Sequence, residues 1–142
     1  MPELPFKILG IEHVGIAAND LNGISDVFGD LLGLKLSSRE KIDDQQVITD
    51  IYETGSGKLE FLKATDENSP ISKFIEKKGG GIHHVALVVD HLQPALDYLV
   101  NQGVNLIDTV PKIGAEGYKV AFIHPQSTCG ILVELCEQNS PK

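Results

Sequence analysis

The chain has 142 residues, a formal net charge of −8, 42% hydrophobic residues and 23% charged residues. This length suits one domain with a substantial core, or two smaller halves that share one core. The acidic balance, without a basic stripe that would neutralise phosphates, excludes nucleic acid as a partner. The sequence contains no run of eighteen apolar residues, so no membrane span is predicted. The first ten residues lack the features of a signal peptide, and we therefore expect a cytoplasmic protein.

The two cysteines, Cys129 and Cys136, lack the C-x-x-C spacing of zinc and redox sites. We interpret them as reduced, small apolar residues and expect neither a disulfide nor a zinc site from them. Reduced thiols are typical of the cytoplasm.

The first half of the chain is predicted to form a strand, a helix and three further strands. An alternating apolar run follows His13, and apolar residues at helical spacing then extend from residue 20 to a stop signal at Gly33. Three strand-like segments complete this half, at about 34–39, 47–53 and 58–64.

A short helix is predicted between the two halves. Ser69-Pro70 is a typical helix start, and the run Gly79-Gly80-Gly81 ends it. Ile71, Phe74 and Ile75 are expected to face inward. The segment is therefore a structured linker.

The second half repeats the order of the first. A strand-like run follows His84, a helix is predicted over 90–103, and three strands follow at about 104–108, 118–124 and 130–135. We therefore predict an α+β fold with two tandem βαβββ modules in one domain over 1–142. The modules cover about 9–64 and 82–136, and a helical linker covers about 65–81.

The repeat is clearest in two matching stretches, 11-IEHVGIAANDL-21 and 82-IHHVALVVDHL-92. With a period of two, His13 shares a strand face with Gly15 and Ala17, and His84 shares one with Ala86 and Val88. Small residues beside a polar one leave room, so we expect these faces to line a cavity rather than a filled core.

Each half also carries a carboxylate within an apolar strand. Glu60 and Glu134 follow His13 and His84 by 47 and 50 residues. A single buried His is more often structural, and a single such Glu often points to solvent. Because a buried, unpaired carboxylate costs several kcal/mol, the coincidence of two matched pairs favours a divalent metal site. The donor set suits Co²⁺, Mn²⁺, Ni²⁺, Mg²⁺ or Zn²⁺, and the absence of thiolates disfavours a closed structural zinc site.

These features resemble the vicinal oxygen chelate (glyoxalase-like) superfamily and, more narrowly, its methylmalonyl-CoA epimerase family. The resemblance covers residues 9–136. The metal pattern is shared with glyoxalase I. The narrower resemblance depends on 67-ENSPISKFIEKKGGGIHHVAL-87 and on 111-PKIGAEGYKVAFIHP-125 followed by GILVEL.

The resemblance implies a curved, mostly antiparallel sheet around one metal ion. It implies that the ligands are His13, Glu60, His84 and Glu134, and that Glu134 is also a catalytic base. His83 is expected to be a rim or structural residue. The implied function is a metal-dependent isomerase that interconverts the two epimers of methylmalonyl-CoA through an enolate, in a homodimer.

The second acid/base group is left open by the sequence. The family position for it corresponds to Thr49, and Asp50, Glu53 or a water held by Thr49 are alternatives. Coenzyme A phosphates are potential partners of Lys112, Lys119 and the lysines at 73–78. Alternative functions are lactoylglutathione lyase (glyoxalase I) and a non-catalytic ligand-binding module of the same fold.

Overall fold

The computed structural model describes residues 3–138, which form two compact units. One unit comprises residues 13–83. The other comprises residues 84–138 together with residues 3–12. The first strand of the chain, β1 (Ile8–Ala17), contributes residues to both units.

The unit of residues 13–83 contains the first predicted module and the linker helix. After β1 come α1 (Leu21–Ile24), a π-helical continuation (Ser25–Leu31), β2 (Lys35–Ile42), β3 (Val47–Glu53), β4 (Lys58–Ala64) and α2 (Pro70–Lys78). The predicted bounds of β3 and β4 are confirmed.

The helix that follows β1 begins and ends where the sequence predicts. The side chain of Asp20 accepts a hydrogen bond from the backbone N–H of Gly23 at 3.0 Å, which caps α1. Gly33 has a φ of +76°, a left-handed conformation that glycine adopts without strain.

In the sheet, the hydrogen-bonded strands of this unit lie in the order β2-β3-β4-β1. β1 and β4 are parallel, whereas β3 pairs antiparallel with both β2 and β4. On one face, Tyr52 and Phe61 pack with residues of the first helix, and Ile16 joins them. On the other face, Ala17 and Leu62 pack against α2. The predicted alternation of β1 between two faces is therefore confirmed.

The linker helix α2 also forms as predicted. The Ser69 hydroxyl accepts a hydrogen bond from the N–H of Ile71 at 3.2 Å, and Gly79 ends the helix with a φ of +79°. Ile71 is buried, and Phe74 and Ile75 pack with it. The linker is thus part of the hydrophobic core of this unit.

The second module comprises β5 (Gly81–Val89), α3 (Leu92–Asn101), β6 (Lys112–Ile113), β7 (Lys119–Ile123) and β8 (Val133–Glu137). Its strands order as β5-β8-β7-β6. β8 is parallel to β5 and antiparallel to β7, which pairs antiparallel with β6. The relations among these strands match those of the first module, so the predicted α+β fold with two mostly antiparallel βαβββ modules is confirmed.

The predicted strand over 104–108 is wrong. Within this segment only Leu106 forms an isolated bridge, with Ile123. The N–H groups of Ile107 and Asp108 both donate to the carbonyl oxygen of Phe122, and the Asp108 carboxylate accepts from the N–H of Phe122 at 2.8 Å. Because the Asp108 side chain occupies the N–H of Phe122, this segment cannot form regular strand hydrogen bonds with β7. The outer strand of the sheet is instead the two-residue β6, further along the chain.

The core of the second module lies between its sheet and α3. Buried residues from both, including Val89, Leu96 and Leu135, form one cluster against which Phe6 packs. Neither Cys129 nor Cys136, both within the described residues, forms a disulfide bond. Among the described residues, no helix is long and apolar enough to span a membrane.

Candidate metal centre and active site

The first predicted pair comes together on β1 and β4. The Nδ1 atom of His13 lies 2.9 Å from Oε2 of Glu60. Both residues are buried, at 5% and 4% exposure. Glu60 is placed there by the parallel register, which sets it opposite Gly15, two residues after the histidine.

The second predicted pair comes together on β5 and β8. The Nε2 atom of His84 lies 3.0 Å from Oε1 of Glu134. Both residues are buried, at 5% and 6% exposure. The register sets Glu134 opposite Ala86, again two residues after the histidine.

The two modules therefore build the same local arrangement. In each, a parallel strand pair places a carboxylate beside the small residue that follows the histidine by two positions. Gly15 and Ala86 leave space between the imidazole and the neighbouring strand. The nearly equal intervals of 47 and 50 residues between histidine and carboxylate follow from this shared register.

Phe122 supports the second pair. It lies opposite Glu134 on β7, and its ring packs edge-on against the His84 imidazole with centroids 5.4 Å apart. In the first module the equivalent position, opposite Glu60, is occupied by Ile51. The second module thus adds an aromatic contact that restrains its histidine.

The residues present fit a divalent cation. The separations of 2.9 and 3.0 Å are those of His–Glu hydrogen bonds or ion pairs, and two ligands at right angles on one ion, each bonded at about 2.1 Å, also lie about 3 Å apart. Buried His and Glu side chains are grouped closely enough to hold a metal ion. The donors are nitrogen and oxygen atoms, without thiolate, as open catalytic sites use.

Asp50, one candidate for the second acid/base group, forms an ion pair with Arg39. It is 1% exposed, and Arg39 donates two hydrogen bonds to its carboxylate, at 2.6 and 2.8 Å. This pairing raises the pKa of Arg39, first through the hydrogen bond and then through the charge of Asp50. Asp50 lies opposite Phe61, on the α1 side of the sheet and away from Glu60.

The other two candidates differ from each other in burial. Glu53 is exposed at the last position of β3. Thr49 is fully buried on the Glu60 side of the sheet, opposite Leu62, and its hydroxyl has no hydrogen-bond partner among the described residues. That hydroxyl also lies out of contact with bulk solvent.

His83, expected to be a rim or structural residue, packs against the linker helix. Its ring is edge-on to Phe74 of α2, with centroids 4.9 Å apart. The lysines of α2, Lys73, Lys77 and Lys78, are exposed.

One buried carboxylate was missed by the sequence analysis. Glu12 immediately precedes His13 and is 5% exposed. Its Oε2 accepts a hydrogen bond from Nε2 of Gln138 at 3.3 Å. The signal was present, since Glu12 interrupts the apolar run of β1 as Glu60 interrupts β4.

Comparison with known proteins identifies the family. The model of the Glyoxalase/Bleomycin resistance protein/Dioxygenase superfamily matches residues 12–122. The mitochondrial methylmalonyl-CoA epimerase of Dictyostelium discoideum is 37% identical over 129 residues, covering 90% of this chain and 78% of that protein. The chain belongs to this superfamily and, within it, to the methylmalonyl-CoA epimerase family.

Two further relatives extend the comparison. The uncharacterized protein YqjC of Bacillus subtilis is 40% identical over 127 residues, covering 89% of this chain and 91% of that protein. A solved structure of methylmalonyl-CoA epimerase in complex with methylmalonyl-CoA and NH4+ has a TM-score of 0.88 and 26% identity, covering 94% of this chain and 97% of that chain. The predicted family is thereby confirmed, and with it the prediction of an enzyme of the epimerase class.

Proposed function

We propose that the protein interconverts (R)- and (S)-methylmalonyl-CoA, and that one divalent ion bound by His13, Glu60, His84 and Glu134 is required. The observation that carries this proposal is the matched pair of buried His–Glu contacts, at 2.9 and 3.0 Å, in two modules of equal register. Family membership supports the substrate, since relatives of 32–37% identity are methylmalonyl-CoA epimerases.

The reaction explains why such a site is needed. The α-carbon of the substrate lies between a thioester and a carboxylate, and its proton must leave from one face and return on the other through an enolate. A bound divalent ion supplies Lewis-acid stabilisation of the negative charge that develops on the thioester oxygen. Co²⁺, Mn²⁺, Ni²⁺, Mg²⁺ and Zn²⁺ all suit two imidazole and two carboxylate ligands.

In this proposal Glu134 accepts the α-proton in addition to its role as a ligand. Burial excludes water from its carboxylate, and His84 at 3.0 Å fixes the direction of one oxygen. The edge-on contact with Phe122 restrains the imidazole in turn. Such positioning is what a general base needs, since its acceptor oxygen must be held at hydrogen-bond distance from the proton that it removes.

Glu134 serves one face of the α-carbon in this proposal. Return of a proton to the opposite face requires a second acid/base group, for which the sequence offers Asp50, Glu53 or a water held by Thr49. Asp50 is bound by Arg39 on the other side of the sheet, and Glu53 is exposed at a strand end. Thr49 lies on the Glu60 side, but its hydroxyl is sealed from solvent.

The test is NMR of α-proton exchange in D₂O, with metal-loaded protein and each epimer of methylmalonyl-CoA. We expect rapid incorporation of deuterium together with formation of the opposite epimer, and loss of both after treatment with a chelator. Exchange no faster than in buffer would exclude the epimerase. The hemithioacetal of methylglyoxal and glutathione, assayed in parallel, is expected to remain unconverted; its isomerisation would indicate a lactoylglutathione lyase.

We also propose a homodimer in the cytoplasm, a proposal supported by the family resemblance. The two cysteines form no disulfide among the described residues, which agrees with a reducing compartment. Light scattering of the purified protein would determine the oligomeric state, and a monomeric mass would contradict the proposal.

A further inference from the structure

The lysines of the β6–β7 hairpin lie on opposite faces of the sheet. Lys112 pairs with Val120, which lies two residues before Phe122 on β7. Lys119 pairs with Ile113 on β6 and with Glu137 on β8. Because neighbouring residues on a strand alternate between faces, the two lysines project to opposite sides.

Lys112 projects to the side that carries the second His–Glu pair. Its Nζ lies 5.0 Å from the centroid of the Phe122 ring, in a cation–π contact. That same ring packs against His84, and Phe122 lies directly opposite Glu134. The ammonium group is therefore held over the aromatic residue that borders the proposed site.

A second contact restrains Lys112. Its Nζ lies 3.5 Å from Oδ2 of Asp108, the same carboxylate oxygen that accepts from the N–H of Phe122. The side chain of Lys112 is still 40% exposed. An ammonium has three donors, so a positioned and accessible cation remains able to bind a further anion.

Lys119 faces a different environment. It lines a cavity of about 380 Å³ beside the first turn of α3, together with Ile113 and Glu137. Glu137 belongs to that side, because its carboxylate accepts from the N–H of Leu92 at 2.8 Å. Lys119 thus provides a matched control, a lysine of the same hairpin that points away from His84 and Glu134.

The charge of the chain favours a role for Lys112 in binding an anionic substrate. The chain carries a net charge of −8, whereas an acyl-CoA with a carboxylate carries several negative charges. Lys112 and Lys119 are the two lysines between His84 and Gln138, a range without arginine, and of these two Lys112 alone is on the side of Glu134. A local cation offsets the repulsion that the average charge would impose on such a substrate.

We infer that Lys112 is a substrate-binding residue whose ammonium pairs with an anionic oxygen of the acyl-CoA. The oxygen belongs either to the carboxylate of the acyl group or to a phosphate of coenzyme A, two sources of the same chemistry. The inference rests on the proposed function for the identity of the substrate. It assigns to Lys112 a role in binding and specificity rather than in proton transfer.

The test is calorimetric binding of malonyl-CoA to the metal-loaded wild-type protein and to Lys112→Gln, Lys112→Arg and Lys119→Gln. We expect Lys112→Gln to weaken binding about tenfold, as for a charged contact near the surface, with the other two within about twofold of wild type. In turnover with methylmalonyl-CoA, Lys112→Gln should raise KM and leave kcat nearly unchanged, because the contact is present in both ground and transition states.

Propionyl-CoA, which keeps the phosphates but lacks the carboxylate, distinguishes the two sources. If Lys112→Gln weakens its binding equally, the partner is a phosphate; if its binding is unchanged, the partner is the carboxylate. Equal affinities of Lys112→Gln and Lys119→Gln for malonyl-CoA would overturn the inference. Wild-type protein that binds malonyl-CoA without epimerising methylmalonyl-CoA would refute the proposed function alone, and the comparison of the lysine variants would still decide the role of Lys112.

Discussion

The Nε2 atom of His84 lies 3.0 Å from Oε1 of Glu134, two buried groups that the parallel pairing of β5 and β8 brings together. The first module repeats this relationship through His13 and Glu60, except that there the histidine uses Nδ1. Each module thus presents one nitrogen and one oxygen donor on a strand pair.

Removal of either imidazole should reduce metal binding. In His13→Ala and His84→Ala we expect the affinity for the ion to fall at least tenfold, since each variant loses one donor and leaves a buried carboxylate without its neighbour. Metal analysis after dialysis measures the effect. His91→Ala is the control, because His91 is exposed at the start of α3. Equal metal content in all three variants would contradict the site.

Glu60 and Glu134 provide a matched pair for separating ligation from proton transfer. Both Glu60→Gln and Glu134→Gln should weaken metal binding to a similar degree, because the two positions are equivalent in register. At saturating metal, Glu134→Gln should in addition lose about 10²- to 10⁴-fold in the rate of α-proton exchange, the usual contribution of a general base. Similar rates in both variants would show that Glu134 is a ligand and no more.

The ion pair of Arg39 and Asp50 should be structural. Arg39→Met leaves a buried carboxylate unpaired and should lower the free energy of unfolding by about 2 kcal/mol in urea denaturation. The double variant Arg39→Met/Asp50→Leu should recover most of this loss, because both partners are then apolar. Asp50→Asn should keep the rate of α-proton exchange within about twofold of wild type. A much slower rate would restore Asp50 as an acid/base candidate.

Thr49→Val should stabilise the protein. The hydroxyl of Thr49 is buried without a hydrogen-bond partner, so its removal should raise the free energy of unfolding by about 1 kcal/mol. Thermal and urea unfolding measure the change. Thr54→Val is the control with the opposite sign, because the Thr54 hydroxyl donates to the carbonyl of Gly57 and accepts from its N–H. Destabilisation by Thr49→Val would reveal a partner for the hydroxyl.

Asp90 should contribute a small dependence of stability on acid pH. Its carboxylate accepts a hydrogen bond from the N–H of Lys7 at 2.7 Å, and this bond lowers the pKa of Asp90 below its usual value of 3.8. The unfolded chain therefore binds the proton at higher pH than the folded one. The stabilisation is present above the unfolded pKa and is lost as pH falls through the lower, folded pKa.

The comparison for Asp90 is with Asp90→Asn in urea titrations between about pH 2.5 and 6. The difference in unfolding midpoint between wild type and variant should shrink as pH falls below 3.8. A difference that is constant over this range would contradict the hydrogen bond as the cause.

Much of the fold could be predicted from the sequence, because alternation and helical spacing are local signals. The bounds of β3 and β4 were predicted correctly, as was the start of α2 at Ser69-Pro70. The segment 104–108 was wrongly predicted to be a strand. Its composition is typical of a strand, but it does not show that the Asp108 carboxylate accepts from the N–H of Phe122, a donor that a regular ladder would need.

For the site, the sequence by itself determined which side chains share a face along one strand and which lie on opposite faces. A period of two puts His13 with Gly15, and it puts Thr49 and Asp50 on opposite sides of one strand. Tertiary structure alone decided that Asp50 faces Arg39, and that Lys112 rather than Lys119 lies on the side of His84 and Glu134. The reason is physical: alternation fixes relative faces along one strand, whereas pairing between strands distant in sequence fixes which face each residue shares with the others.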